Sequence, residues 1–282
     1  MATDAKDFKS DLKPIWCPGC GDFGVLAAAY RAFAELELDP DKTVVVSGIG
    51  CSSRFPGFVT TYGFHGVHGR ALPTAMGVKM ANPELEVIAV GGDGDGFAIG
   101  GGHFPHAARR NIDITYVIMN NQIYGLTKGQ VSPTSLRDQK SPSSPGGNTE
   151  SPLNTMATAV AADASFVARG ASFRTKELTE LIVEGMKHPG FSFIDAYSPC
   201  TAFNNTTQVW KDAAAPLAET HDPSDRAAAF ARALEDPMSL GVFYKHERPT
   251  MVQQFEALKE AASPGTVDAL LDSYALNIKT AA

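Results

Sequence analysis

Five short runs of apolar and β-branched residues recur along the chain: TVVVSG (43–48), EVIAVGG (86–92), DITYVIMN (113–120), SFVARG (165–170) and FSFIDAY (191–197). Each is apolar almost throughout instead of alternating, the pattern of a strand covered on both faces of a parallel sheet. Stretches with helical spacing lie between them, around 22–37, 70–81, 97–110, 154–163 and 175–187. In the last of these, TKELTEL offers Thr175 as N-cap and sets Leu178, Leu181 and Ile182 on one face. Strand alternating with helix predicts an α/β fold built on a doubly wound, mostly parallel sheet.

Two stretches depart from this pattern. From Ser132 to Pro152 the chain reads SPTSLRDQKSPSSPGGNTESP, a Ser-, Pro- and Gly-rich insertion of a length that is uncommon inside a compact domain. Beyond about Thr201 the strand pattern fades, and amphipathic helices are expected near 224–235, 250–262 and 265–276. The expected organisation is a core, residues 1–210, and a helical C-terminal extension, residues 211–282, packed on the core or on a partner.

Composition narrows the function. The 282 residues are 44% hydrophobic and 20% charged, as in ordinary globular proteins, and the net charge of −7 leaves no basic surplus for nucleic acid. The opening MATDAKDFKSDLKP lacks an apolar core, and no later run reaches membrane-spanning length. A cytoplasmic protein without membrane contacts is expected, in which the four cysteines, Cys17, Cys20, Cys51 and Cys200, stay reduced.

Open parallel sheets build their sites beyond the carboxyl ends of the strands. Here that rule gathers Cys51 after the first run, Asp93 and Asp95 after the second, Asn120 and Asn121 at the end of the third, and Cys200 after the fifth. GGDGDG (91–96) fails the dinucleotide spacing and fails as a calcium loop, because Phe104 stands where a bidentate Glu is needed. G-D-G, a helix and then a strand ending in N-N is instead the arrangement that holds the diphosphate of thiamine diphosphate through a divalent cation. Glycines admit the phosphates to the backbone, and the next helix N-terminus favours their charge. Magnesium takes about six oxygen ligands, and Asp93, the Asn121 side chain and the Ile123 carbonyl would supply the protein's share.

WCPGC (16–20) has the spacing of a thiol–disulfide motif, but no strand precedes it. Four thiolates suit zinc as well as iron. Zinc ribbons bring two local pairs, whereas here one pair joins two isolated cysteines, so on spacing alone a zinc clasp and an iron–sulfur cluster stand level.

The set WCPGCG (16–21), GIGCSSR (48–54), HGRALPTAMGVKMANP (68–83), GGDGDG, NNQIYGLTKGQVSPTS (120–135) and SPC (198–200) resembles the β subunit of 2-oxoacid:ferredoxin oxidoreductases, and YGLTKGQVSPTS looks more like the 2-oxoglutarate than the pyruvate branch. The resemblance implies one 4Fe–4S cluster on Cys17, Cys20, Cys51 and Cys200. It implies thiamine diphosphate contacts from Ile49, Gly50, Cys51, Ser52, His68, Gly94, Asp95, Gly125 and Leu126. Lys128 and Gln130 become candidates to face the substrate carboxylates, with His65 and Arg70 as weaker ones and Arg54 beside the cluster. The implied reaction converts a 2-oxoacid and coenzyme A to acyl-CoA and carbon dioxide, with electrons leaving for ferredoxin. No motif here supplies the carboxylate that normally meets the aminopyrimidine ring, so an α subunit with a pyrimidine-binding domain is expected. The alternatives are another 2-oxoacid, pyruvate among them, or a non-catalytic subunit stabilised by zinc.

Overall fold

The computed structural model describes residues 4–235, 238–261 and 265. The expected helix at 265–276 lies outside the described residues. In chain order the first half runs α1 (Asp22–Glu35), β1 (Thr43–Ser47), β2 (Tyr62–His65), α2 (Ala71–Ala81), β3 (Glu86–Gly92), α3 (Asp93–Phe97), α4 (Phe104–Arg110) and β4 (Ile114–Asn120). The second half runs α5 (Thr155–Ala161), β5 (Phe166–Ala171), α6 (Thr175–Lys187), β6 (Phe191–Tyr197), α7 (Thr207–Ala213), β7 (Ala215–Pro216), α8 (Arg226–Glu235), β8 (Ser239–Lys245) and α9 (Met251–Ala261).

The strands form one sheet in the order β2-β1-β3-β4-β6-β5-β8-β7. Every neighbouring pair is parallel except β5 with β8. Alternate residues of the central strands enter two separate apolar layers. Val45, Ile88, Val90, Val117 and Ile194 face the layer that holds α1 and α6. Val46, Val87, Ala89, Ile118 and Phe193 face the layer that holds α2, α4, α5 and α8. Both faces of the sheet are covered, which is why these strands read as unbroken apolar runs. At the centre of the second layer Phe104 meets Phe97, Phe191 and Phe193 at ring separations of 5.0, 5.6 and 5.1 Å.

Three sequence expectations need correction. The stretch 97–110 is not one helix: Gly100, Gly101 and Gly102 break it, and a new helix starts at Phe104 with Pro105 in its first turn. Thr175 is the first helical residue, Arg174 precedes it as cap, and the Thr175 hydroxyl donates to the Ser172 carbonyl instead of capping. Strands continue beyond Thr201, because β8 adds antiparallel to β5. Its Gly241, at φ +140°, and its half-buried Gly241 and Val242 blur the apolar run that marked the others. Among the described residues no helix is long and apolar enough to cross a membrane.

Candidate functional site

The chemistry-bearing residues converge where the carboxyl ends of β1, β3 and β4 open into their connections. A cleft of about 390 Å³ lies there. The turn after β1 contributes Ile49, Gly50, Cys51 and Ser52, and His68 comes from the segment ahead of α2. α3 contributes Asp93, Gly94 and Asp95, and the turn after β4 contributes Asn121, Ile123, Gly125 and Leu126. All twelve residues expected to hold thiamine diphosphate and its cation therefore line one cleft.

Asp93 is buried at the first position of α3, and its Oδ2 accepts from the Ser132 hydroxyl at 2.5 Å and the Thr134 hydroxyl at 2.6 Å. Its Oδ1 accepts the Asn121 main-chain N–H at 3.2 Å. Burial pushes the carboxyl upward, and these hydrogen bonds pull it back. The Asn121 amide oxygen accepts the Ile123 N–H at 3.0 Å. α3 has only five residues, so the favourable helix terminus expected here is little more than a single turn.

Asp95 ties the two backbone turns of the cleft together. Its Oδ1 accepts from the main-chain N–H groups of Ile49 and Gly69, each at 2.8 Å, and lies 3.1 Å from His68 Nδ1. Gly48 packs directly on this carboxylate, where a Cβ would collide with it. Asp95 is held above its ordinary value by burial, against these donors.

The four cysteines line a second cavity of about 310 Å³. Cys17 is exposed, Cys20 and Cys51 are half-buried and Cys200 is buried. A Cβ placed on Gly125 would lie 3.4 Å from Cys200 Sγ and 3.7 Å from Cys51 Sγ, so Gly125 packs closely against both thiols. Burial, followed by the Asp22 carboxylate, pushes the Cys51 thiol up to about 12 and Cys20 higher still. A bound metal group reverses this preference, because a cation beside a thiol removes its proton.

Among the described residues no three His, Cys, Asp or Glu side chains converge on a point that could hold one metal ion. The four thiols line one cavity, and thiolates are ligands for an iron–sulfur group as they are for zinc. For magnesium the donor set is of another kind, one carboxylate with an amide oxygen and a main-chain carbonyl, the remaining ligands coming from phosphate and water. The Ser52 hydroxyl and Asp95 Oδ2 are buried at the cleft without a partner, leaving polar atoms for a bound group to meet. The residues present fit both groups.

The two cavities adjoin, and Cys51, Asn121, Gly125 and Leu126 line both. Gln130 lines the cleft, but its side chain is held by Thr127, accepting from the Thr127 hydroxyl at 2.5 Å and donating to the Thr127 carbonyl at 2.8 Å. Lys128 lines the thiol cavity with Arg54, not the cleft. Arg70 donates to the Gly69 and Ile99 carbonyls, and His65 stands exposed on β2.

Sequence reasoning missed Asp22, Tyr124, Ser132 and Thr134. Asp22 is buried at the start of α1 and lines the cleft, Oδ1 accepting from the Ser198 hydroxyl at 2.6 Å and Oδ2 without a partner. Burial pushes it up to about 6. Its signal was its place directly after WCPGCG. The Tyr124 hydroxyl donates to the Gly94 carbonyl at 3.2 Å, and its ring lies where Gly94 has no Cβ.

Comparison with known proteins agrees with this geometry. Residues 48–196 match the family described as thiamine pyrophosphate enzyme, C-terminal TPP binding domain, and residues 200–260 match the C-terminal family of the pyruvate ferredoxin oxidoreductase beta subunit. The 2-oxoacid:ferredoxin oxidoreductase 1 subunit beta of Aeropyrum pernix is 45% identical, over 84% of this chain and 79% of that protein. The 2-oxoglutarate synthase subunit KorB of Archaeoglobus fulgidus is 40% identical, over 88% of this chain and 91% of that protein. A solved structure of 2-oxoglutarate:ferredoxin oxidoreductase from Magnetococcus marinus, with 2-oxoglutarate, coenzyme A and succinyl-CoA bound, superposes with a TM-score of 0.92 at 42% identity over 96% of each chain. Fold and site thus define a thiamine pyrophosphate-binding domain of an oxidoreductase. The chain belongs to the β subunits of 2-oxoacid:ferredoxin oxidoreductases.

Proposed function

We propose that this β subunit serves a 2-oxoglutarate:ferredoxin oxidoreductase, which converts 2-oxoglutarate and coenzyme A to succinyl-CoA and carbon dioxide, reversibly, and passes two electrons to ferredoxin. The observation that carries the reading is the shared wall, in which Cys51, Asn121, Gly125 and Leu126 border the cleft on one side and the thiol cavity on the other. The names of the 2-oxoglutarate-specific relatives and the ligands of the solved neighbour support the choice of acid.

In this reading Asp93, Asn121 and the Ile123 carbonyl hold magnesium, while Ile49, Gly50, Ser52, His68, Gly94, Asp95, Gly125 and Leu126 surround thiamine diphosphate. Cys17, Cys20, Cys51 and Cys200 hold one 4Fe–4S cluster. The thiazolium, when bound, supplies an electron sink for decarboxylation. The chain's own part is to position and to shield. Asp95 fixes the Ile49 and Gly69 turns against the cleft, and Cys51, which lines both cavities, would set a bound cluster next to a bound cofactor. Of the two candidates to meet the substrate's carboxylates, Gln130 lines the cleft, held there by Thr127, whereas Lys128 lines the adjoining thiol cavity and would reach substrate only from that side. The carboxylate for the aminopyrimidine comes from an α subunit, so the complete site lies between the two chains.

The test is metal and sulfide analysis of protein purified without oxygen, followed by dye reduction with and without the α subunit. About four irons and four sulfides per chain and a 2-oxoglutarate-dependent rate only in the complex are expected. One zinc without sulfide would overturn the cluster, full turnover by the chain alone would overturn the shared site, and a preference for pyruvate would move the acid to the other branch.

A further inference from the structure

The insertion that begins at Ser132 opens with four residues whose polar atoms nearly all point inward. Ser132, Thr134 and Ser135 are buried, although Ser, Thr and Pro in such a stretch ordinarily form solvated loop. Their bonds reach both halves of the proposed cation site, which come from different strands. Toward the end of β3, the Ser132 and Thr134 hydroxyls converge on Oδ2 of Asp93. Toward the end of β4, the Ser135 hydroxyl donates to the Gln122 carbonyl at 2.6 Å, and Thr134 Oγ1 lies 3.3 Å from the Asn120 amide oxygen. Ser135 Oγ also accepts the Ser132 N–H at 2.8 Å and so closes the turn on itself.

We propose that the turn Ser132–Pro133–Thr134–Ser135 is a clamp that fixes the Asp93 carboxylate against the Asn120–Ile123 turn and so sets the cleft's affinity for the divalent cation and the diphosphate it carries. The inference rests on the reading of Asp93 as a magnesium ligand. A carboxylate offers about four acceptor positions. Two neutral hydroxyls occupy Oδ2 and one main-chain N–H approaches Oδ1, which stops rotation of the carboxylate and leaves acceptor capacity on Oδ1. Hydroxyls do this without bringing a positive charge, whereas a Lys or Arg in the same place would compete with the cation. The clamp is braced from behind: Asn148 Nδ2 donates to the Ser135 and Leu136 carbonyls at 3.1 and 3.2 Å, and the Leu153 N–H donates to the Pro133 carbonyl at 2.7 Å. The long insertion thus acts as the support of a positioning element.

Groups that orient a metal ligand typically carry 10–100-fold in affinity or activity. The experiment uses the reconstituted complex with its α subunit and titrates Mg²⁺ against retention of thiamine diphosphate by calorimetry. Thr134→Val keeps the shape of the side chain and removes the hydroxyl, and Ser132→Ala removes one oxygen. Each variant is expected to weaken Mg²⁺-dependent cofactor binding roughly 10-fold or more, with KM for thiamine diphosphate rising more than kcat falls, and Thr134→Ser is expected to restore it. Asp93→Ala separates the two levels of the argument. If Asp93→Ala abolishes retention while Thr134→Val and Ser132→Ala bind as the parent does, the clamp is wrong and the magnesium reading stands. If Asp93→Ala itself retains the cofactor as the parent does, the magnesium reading fails and takes the clamp with it.

Discussion

The indole N–H of Trp16 donates to the main-chain carbonyl of Cys51 across 2.7 Å, which joins the segment before the Cys17–Cys20 pair to the turn after β1. The same ring packs edge-on against Phe23 and Phe58, at ring separations of 5.3 and 5.0 Å. One side chain thereby ties the local Cys17–Cys20 pair to Cys51, which lies far from it in sequence.

Trp16→Phe keeps much of the ring packing and removes the donor. Leaving a fully buried carbonyl without its partner costs about 1–3 kcal/mol, and the half-buried Cys51 carbonyl should cost less. The urea midpoint of the variant should fall accordingly, and iron of the proposed cluster should leave the anaerobic variant faster on dilution than it leaves the parent. Equal midpoints and equal iron retention would show that this bond holds nothing in place.

Gly48→Ala should damage the cleft without replacing a proposed ligand. The added methyl would collide with the Asp95 carboxylate, which holds the Ile49 and Gly69 N–H groups at 2.8 Å. Forcing a methyl into such a contact costs about 1–3 kcal/mol. Denaturant unfolding should read that loss, and thiamine diphosphate retention should fall with it. Parent-like unfolding would mean that the Asp95 side chain moves aside at no cost.

The central strands could be read from sequence because their two faces enter two different apolar layers, which makes each run apolar throughout. Val45 and Val46 illustrate this, neighbours in β1 that belong to opposite layers. β2 carried no such signal, since all four of its residues are exposed at the sheet edge. Cleft residues were legible where a strand end met a glycine-rich turn, as at Asp93, or an Asn-Asn pair, as at Asn121. Ser132 and Thr134 were not, because a hydroxyl in a Ser- and Pro-rich stretch looks the same in sequence whether it faces water or a buried carboxylate.

Acid should destabilise the end of the sheet opposite the cleft. His188 Nε2 lies 2.9 Å from the Ser165 hydroxyl, which donates to the Asn111 amide oxygen at 2.6 Å. Burial first, and then Lys245, lowers its pKa, while Glu247, Asp113 and Glu184 oppose the shift. The folded protein thus favours the neutral ring. The contribution to stability is complete above the unfolded value of about 6.5 and is lost as pH falls through the lower folded value. Unfolding midpoints between pH 7.5 and 5.5 should drop more steeply for the parent than for His188→Gln; parallel curves would exclude His188 as the source.

β8 closes the side of β5 that faces away from β6, and it does so from a part of the chain that the apolar pattern assigns to helices. A chain cut at residue 210 would keep the cofactor cleft, all four cysteines and most of the sheet. It would also bare a row of main-chain donors and acceptors along Phe166–Ala171, a ready template for pairing with another chain. β8 therefore acts as a seal: without it, molecules that still carried the site would meet one another edge to edge before they met a partner subunit.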